Sequence, residues 1–116
     1  MAASLDGRVL APEADQAAGQ VGTATRFHYR EADGRVHADY AGGDVERGAL
    51  MGTRVGDRLD FRYVQRLTDG TTASGHCVGE VRDLPDGRVA VDERWEWESR
   101  PGSGTSRVVE LRPDAG

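Results

Sequence analysis

Residues 86–99 alternate strictly between two kinds of side chain, and this alternation constrains the fold more than any other feature of the chain. Successive side chains of a β-strand point to opposite sides of the sheet, so a period of two over this length predicts a strand with one buried face. Glu93 is the only charged member of that face, whose other members are Val89, Val91, Trp95 and Trp97. Such a strand is typical of the wall of a β-barrel, with the acid facing the interior.

The same period of two recurs along the chain between short turns such as Asp33-Gly34. Asp-Gly between two alternating stretches is the strongest short hairpin signal. The pattern predicts eight successive strands, at about residues 8–11, 24–30, 35–40, 44–53, 58–67, 71–82, 86–99 and 105–112. Eight strands joined by hairpins form an up-and-down antiparallel barrel whose interior is filled by side chains or holds one small ligand. We therefore predict an all-β, eight-stranded antiparallel up-and-down β-barrel.

The length of 116 residues fits a single domain that spans residues 1–116. We expect the termini, residues 1–7 and 113–116, to be frayed. Residues 12–23 have no apolar stripe of helical spacing, so we expect a loop that caps one end of the barrel.

Composition excludes several classes of function. The net charge of −5 argues against nucleic acid as a partner. The chain has no Lys, which excludes a Schiff base and a P-loop lysine. Cys77 is the only cysteine, and His28, His37 and His76 lack the spacing of metal ligands. We expect neither a cofactor nor a bound metal.

The first residues lack the basic region and apolar core of a signal peptide, and no apolar run is long enough to cross a membrane. We expect a cytoplasmic protein that does not bind membranes. Its expected partner is a small-molecule ligand or substrate, and a homodimer is compatible with the composition.

The alternation of the other strands places further polar and aromatic side chains on the interior face. Arg47 falls in the inward phase of its strand, although Gly48 and Gly52 indicate a bulge near which this phase can switch. We predict Glu93, Arg47 and Tyr63 as the candidate catalytic residues. The predicted ligand contacts are Phe27, Tyr29, Tyr40, Phe61, Gln65, Trp95 and Trp97. Apolar walls with a few convergent polar groups are typical of small-molecule pockets.

Two interpretations of Glu93 remain open. Apolar neighbours favour the neutral form of the carboxyl and raise its pKa, which suits general acid or base chemistry. Alternatively, Glu93 and Arg47 form a buried structural ion pair, because an unpaired buried acid is costly.

Several stretches together resemble a family of small bacterial proteins that often carry the label N-acetylglutamate synthase. The resemblance covers about residues 24–112, and it rests on Phe27-His28-Tyr29, 34–43, 45–52, 59–63, Gly75-His76-Cys77, 86–97 and Gly104-Thr105-Ser106. It implies a small calycin-like barrel of the lipocalin and avidin kind. An acetyltransferase holds the CoA pyrophosphate at a helix N-terminus that follows a strand, and this sequence has no such helix. The sequence therefore does not predict a transferase.

The sequence leaves three classes of function open. The first is a binding protein that holds a small, partly apolar molecule in the barrel lumen, with a polar cluster of Arg, Glu and Tyr. The second is a small cofactor-free enzyme, such as a cyclase or isomerase of bacterial biosynthesis, that uses Glu93, Arg47 and a tyrosine. The third is a structural or oligomerisation domain. Fold does not decide between them.

Overall fold

The computed structural model describes residues 1–16 and 20–112, and these form a closed barrel in which each strand pairs with its neighbours in sequence. Pairing of the first and last strands closes it. The strands are β1 (Val9–Pro12), β2 (Arg26–Ala32), β3 (Arg35–Gly42), β4 (Val45–Val55), β5 (Arg58–Leu67), β6 (Thr72–Asp83), β7 (Val89–Trp97) and β8 (Ser103–Glu110). All pairs are antiparallel, and the described part of the chain has no helix. The predicted eight-stranded, all-β barrel is confirmed.

Inward side chains of all eight strands form the core, as their alternation predicts. On β7, Val89, Val91, Trp95 and Trp97 are buried, while the Glu93 residue between them is half-buried. The strand on which the sequence analysis began therefore has the predicted face toward the lumen.

Strand β4 contains a bulge that reverses the inward phase. Val45 pairs with Leu67 and Arg47 pairs with Arg66, so one extra residue is inserted between these two pairs. After such an insertion the remaining side chains of the strand point to the opposite faces. Arg47 is exposed on the outside of the barrel, whereas Arg54 of the same strand is buried. The prediction that Arg47 faces the lumen is wrong, and so is its pairing with Glu93.

The N-terminal segment closes one end of the barrel. Leu5 is fully buried, and the backbone amides of Ala2 and Leu5 donate hydrogen bonds to carboxylates of Asp57 (2.6 Å) and Glu31 (2.9 Å). The prediction that residues 1–7 are frayed is wrong. A short plug has no strand or helix period, so its burial leaves no pattern in the sequence.

Residues 13–25 connect β1 to β2 at the opposite end of the barrel. Within this connection Gln16 forms a β-bridge with Val21, and the side chain of Gln20 bonds to that of Gln65. Of the loop predicted at 12–23, Pro12 is the last residue of β1, and 17–19 lie outside the described residues. The terminus predicted at 113–116 also lies outside them.

Candidate functional site

A cavity of about 50 Å³ lies in the lumen. Nine of its eleven lining residues lie on the barrel strands β2 to β7, beside one residue of the β1–β2 connection and one of β8; the lining is Val21, Phe27, Tyr40, Leu50, Phe61, Tyr63, Gln65, Cys77, Glu93, Trp95 and Ser106.

 A cavity of this size has room for a water or for a ligand of a few heavy atoms.

Glycines opposite the aromatic residues make room for the rings in the lumen. Tyr40 pairs across the sheet with Gly48, Tyr63 with Gly75, and Trp95 with Gly104. A Cβ atom at any of these glycines would collide with the ring of its cross-strand partner. The rings therefore lie against bare backbone, and larger residues at the three glycines would push them into the cavity.

The aromatic side chains form two groups. The rings of Phe27 and Tyr40 stack with their centroids 4.4 Å apart. Trp97 packs against Tyr63 at 5.5 Å and against Trp95 at 5.8 Å, and the Arg100 guanidinium lies 4.8 Å from the Trp97 ring. These contacts give the cavity stiff apolar walls.

One polar side of the cavity is a chain of hydrogen bonds. The Tyr40 hydroxyl donates to Oε1 of Gln65 at 2.9 Å, and Nε2 of Gln65 donates to Oε1 of Gln20 at 3.1 Å. Gln20 belongs to the β1–β2 connection, so this chain ties the connection to the strands that line the lumen.

The second polar feature is Glu93, whose Oε1 accepts a hydrogen bond from the Ser106 hydroxyl at 3.2 Å. Burial raises the pKa of Glu93 from its ordinary 4.5 to about 7, the Ser106 hydrogen bond opposes this rise, and the charge of Asp92 adds to it. Within residues 1–16 and 20–112, no cation forms an ion pair with Glu93. Near neutral pH this carboxyl exists in both protonation states.

Tyr29 has a hydroxyl group that is buried without a hydrogen-bond partner among the described residues. Its side chain lies in the core and the residue is 1% exposed. Burial raises its pKa well above the ordinary value, and the charge of Glu93 is the next largest cause. Because buried hydroxyls normally have partners, this group marks an unfilled hydrogen-bonding position near Glu93.

Burial also raises the pKa of the Cys77 thiol and of the Tyr63 hydroxyl well above their ordinary values. Both groups therefore stay protonated at neutral pH. Cys77 is not an activated nucleophile, because the thiolate is the reactive form.

Glu93 and Ser106 also border a groove of about 720 Å³ on the outside of the barrel. Most of its other lining residues are exposed or half-buried, and they include Asp57, Arg58 and Arg94. The groove lies beside solvated charges of both signs, whereas the lumen cavity has mainly apolar walls. We therefore place the candidate site in the lumen.

The structure brings together most of the residues predicted for the site. Phe27, Tyr40, Phe61, Tyr63, Gln65, Glu93 and Trp95 all line the cavity. Tyr29 and Trp97 are buried in the core without lining the cavity, and Arg47 lies outside the barrel.

Four lining residues were not among the predicted site residues: Val21, Leu50, Cys77 and Ser106. Leu50 was assigned to the outward phase of β4, because the bulge was not placed. Ser106 alternates in phase with Val108, and this signal in β8 was available in the sequence. Val21 lies in the β1–β2 connection, where no periodic pattern could have identified it.

In the described part of the chain, no group of three or more His, Cys, Asp or Glu side chains could hold a metal ion. His28 and His37 are exposed on the outer face, and His76 forms a 2.6 Å contact with Asp60. Residues 1–16 and 20–112 contain no helix that is long and apolar enough to cross a membrane.

A family model described as "Avidin-like protein" matches residues 3–111, which is nearly the whole chain. No curated protein and no solved structure matches the chain. The match fits the closed eight-stranded antiparallel barrel, and it confirms the resemblance to avidin-like and calycin-like barrels.

Proposed function

The chain belongs to the avidin-like protein family, and from that premise we propose that it binds a small, partly apolar molecule in the lumen of its barrel. Barrels of this family typically bind small ligands. The proposed site is the lumen cavity, with Glu93, Ser106, Tyr40 and Gln65 as its polar groups.

The observation that carries this proposal is a lumen with unsatisfied polar groups beside a cavity. Glu93 is desolvated without a cation among the described residues, and the Tyr29 hydroxyl is buried without a partner. Each of these features lowers stability relative to an apolar core. A barrel filled only for stability would carry apolar side chains at these positions, so the arrangement favours a ligand that completes the hydrogen bonds.

The size of the cavity limits the ligand. Sites for drug-sized molecules usually have volumes of roughly 300–1,000 Å³, and the lumen cavity has about 50 Å³. A ligand of a few heavy atoms fits the barrel as it stands. A larger ligand does not fit the cavity of the barrel in this conformation.

A binding experiment with three small probes tests this function. Isobutylamine, isobutanol and isobutyrate share an apolar isopropyl group and differ in charge. Each is titrated into the protein while the NMR signals and fluorescence of Trp95 and Trp97, the only two tryptophans, are recorded. We expect saturable changes with at least one probe, at micromolar to millimolar concentrations, because a ligand of five or six heavy atoms gains at most roughly 7.5–9 kcal/mol, at about 1.5 kcal/mol per heavy atom.

Two matched variants locate the binding. Cys77→Leu places a larger side chain in the cavity wall, and Val78→Leu makes a similar addition at the next residue, on the outer face. We expect Cys77→Leu to abolish the response and Val78→Leu to preserve it, with circular dichroism as the check on folding. Equal responses in both variants, or no response to any probe in the parent, contradict a lumen site.

A cofactor-free enzyme is the second candidate, and the pKa of Glu93 is the observation that favours it. A general acid or base works best when its pKa lies near the operating pH, and burial raises that of Glu93 to about 7. In a cyclase or isomerase, Glu93 would transfer the proton and the Tyr63 hydroxyl would donate a hydrogen bond. Arg47 has no part in this version, because it lies outside the barrel.

Proton exchange distinguishes the enzyme from the binding protein. A base in the lumen should exchange the α-protons of bound butanone with D₂O faster than buffer does, as followed by NMR. Glu93→Gln should lose this acceleration, and Glu96→Gln, on the outer face of the same strand, should keep it. Exchange at the buffer rate in the parent contradicts the enzyme and leaves the binding function in place.

A further inference from the structure

The charges that line the lumen cavity are all of one kind. Glu93 is the only residue with a carboxyl group among the described lining residues, and none of these residues is Arg or His. The buried Arg54 lies at the closed end of the barrel, where its partners are Glu31, Asp57 and backbone carbonyls. The cavity therefore offers a carboxylate and no opposite charge.

We propose that the molecule bound in the lumen is a small organic cation, a primary amine on a short apolar body, whose ammonium group contacts the Glu93 carboxylate. This inference rests on the proposed binding function and names the chemical class of its ligand. The ammonium group supplies the positive charge that the described residues do not place beside Glu93.

The hydrogen-bond acceptors near Glu93 match the donors of an ammonium group. A primary ammonium has three N–H donors and no acceptor. The Glu93 carboxylate accepts, and the Ser106 hydroxyl keeps free lone pairs because it acts as the donor to Glu93. An ammonium group can therefore use acceptors that the fold leaves unused.

The apolar walls also suit a cation. Phe27, Tyr40, Phe61, Tyr63 and Trp95 place aromatic rings around the cavity. The negative faces of such rings attract a cation within about 6 Å of the centroid, and the attraction grows when water is excluded. The same rings pack against the apolar body of the ligand.

A bound cation should change the protonation of Glu93. The titratable groups that face it are Tyr29 on β2, Tyr40 on β3, Tyr63 on β5 and Cys77 on β6, and burial raises the pKa of each. Asp92 on β7 is held ionised by Arg107 and Arg82, which lower its pKa. Among these groups only Glu93 titrates near neutral pH. Binding of an ammonium should therefore require release of the Glu93 proton at low pH.

The three isobutyl probes test the sign of this coupling in the unmodified protein. Isobutylammonium stays charged across pH 5–8, because alkylamines titrate near pH 10. With a pKa of about 7 for Glu93, the affinity for isobutylamine should rise about tenfold per pH unit from pH 5 to 7 and then level off. At pH 8 we expect isobutylamine to bind at least about tenfold more tightly than isobutanol.

Glu93→Gln should remove both the preference for the amine and the rise with pH, whereas Glu96→Gln on the outer face should retain both. If Glu93→Gln fails to fold, the pH profile of the parent still decides the question. Two results would contradict the proposal that the ligand is a cation and leave the binding function intact. One is tighter binding of isobutanol than of the amine at pH 8, and the other is affinity for the amine that falls between pH 5 and 7. Absence of binding by all three probes contradicts both the cationic ligand and the proposed binding function.

Discussion

Two charged side chains on the inner face of this barrel, Arg54 and Glu93, have opposite surroundings. Arg54 makes five hydrogen bonds, at 2.8–3.4 Å, to Gly56, Ala3, Glu31, Ala2 and Asp57. A guanidinium has five N–H donors, so its hydrogen-bonding capacity is filled. Glu93 accepts one hydrogen bond, from Ser106, and has no ion pair among the described residues.

The difference separates a structural role from a candidate binding role. At the closed end, Arg54 ties the N-terminal segment to β2 and to the β4–β5 turn, so its charge stabilises the fold. In the lumen, the desolvated Glu93 lowers stability whenever it is ionised. A buried charge that the fold satisfies is expected to be structural, whereas one that it leaves unsatisfied is a candidate for binding a ligand.

The largest expected effect comes from breaking the structural half of this comparison. Arg54→Met should destabilise the protein by about 3–5 kcal/mol, because three backbone carbonyls and the carboxylates of Glu31 and Asp57 lose the hydrogen bonds that Arg54 donates to them. Arg47→Met, on the exposed face of the same strand, should change stability by less than about 0.5 kcal/mol. Urea denaturation measures both. Similar values for the two variants would show that the closed end does not depend on Arg54.

The next largest effect concerns the contribution of apolar burial to stability at the end of the barrel that the N-terminal segment closes. Leu5→Ala should cost about 2–5 kcal/mol, because Leu5 is fully buried and its truncation leaves a cavity. Met51→Ala, at an exposed position of β4, is the control and should be nearly neutral. If Leu5→Ala melts like the parent, the N-terminal segment does not plug the barrel in solution.

In the lumen half, Glu93→Gln should raise stability in a pH-dependent way. The folded pKa of about 7 lies above the ordinary 4.5, so the parent retains its full stability below pH 4.5 and loses part of it as the pH rises through 7. The loss amounts to roughly 3 kcal/mol, and the variant should lack it. Urea denaturation between pH 4.5 and 8.5 measures the difference, with Glu96→Gln as the control. A difference that does not change with pH argues against the raised pKa.

The smallest effect comes from a matched pair of tyrosines. Tyr40→Phe should cost about 1 kcal/mol, because it removes the 2.9 Å hydrogen bond to Gln65. Tyr29→Phe should be neutral or stabilising, since its buried hydroxyl has no partner in the described chain. Urea denaturation measures the free energy of unfolding of both variants. A larger loss of stability in Tyr29→Phe than in Tyr40→Phe would show that the Tyr29 hydroxyl has a hydrogen-bond partner.

Strand alternation alone was enough to predict the barrel and much of the site. The phase of β7 placed Glu93, Trp95 and Trp97 inside correctly, because side chains of one strand alternate whatever the strand pairs with. The same rule placed Tyr40 and Gln65 in the lumen, and both line the cavity.

The tertiary structure decided what surrounds each of these side chains. The bulge that turns Arg47 outward and Arg54 inward depends on the pairing of β4 with β5. The N-terminal plug depends on carboxylates from distant strands, and it has no periodic pattern. Within a strand without a bulge, local sequence determines the face on which a side chain lies, because successive side chains alternate. Whether a buried charge meets a partner depends on which strands face each other across the barrel, and only the closed fold determines that.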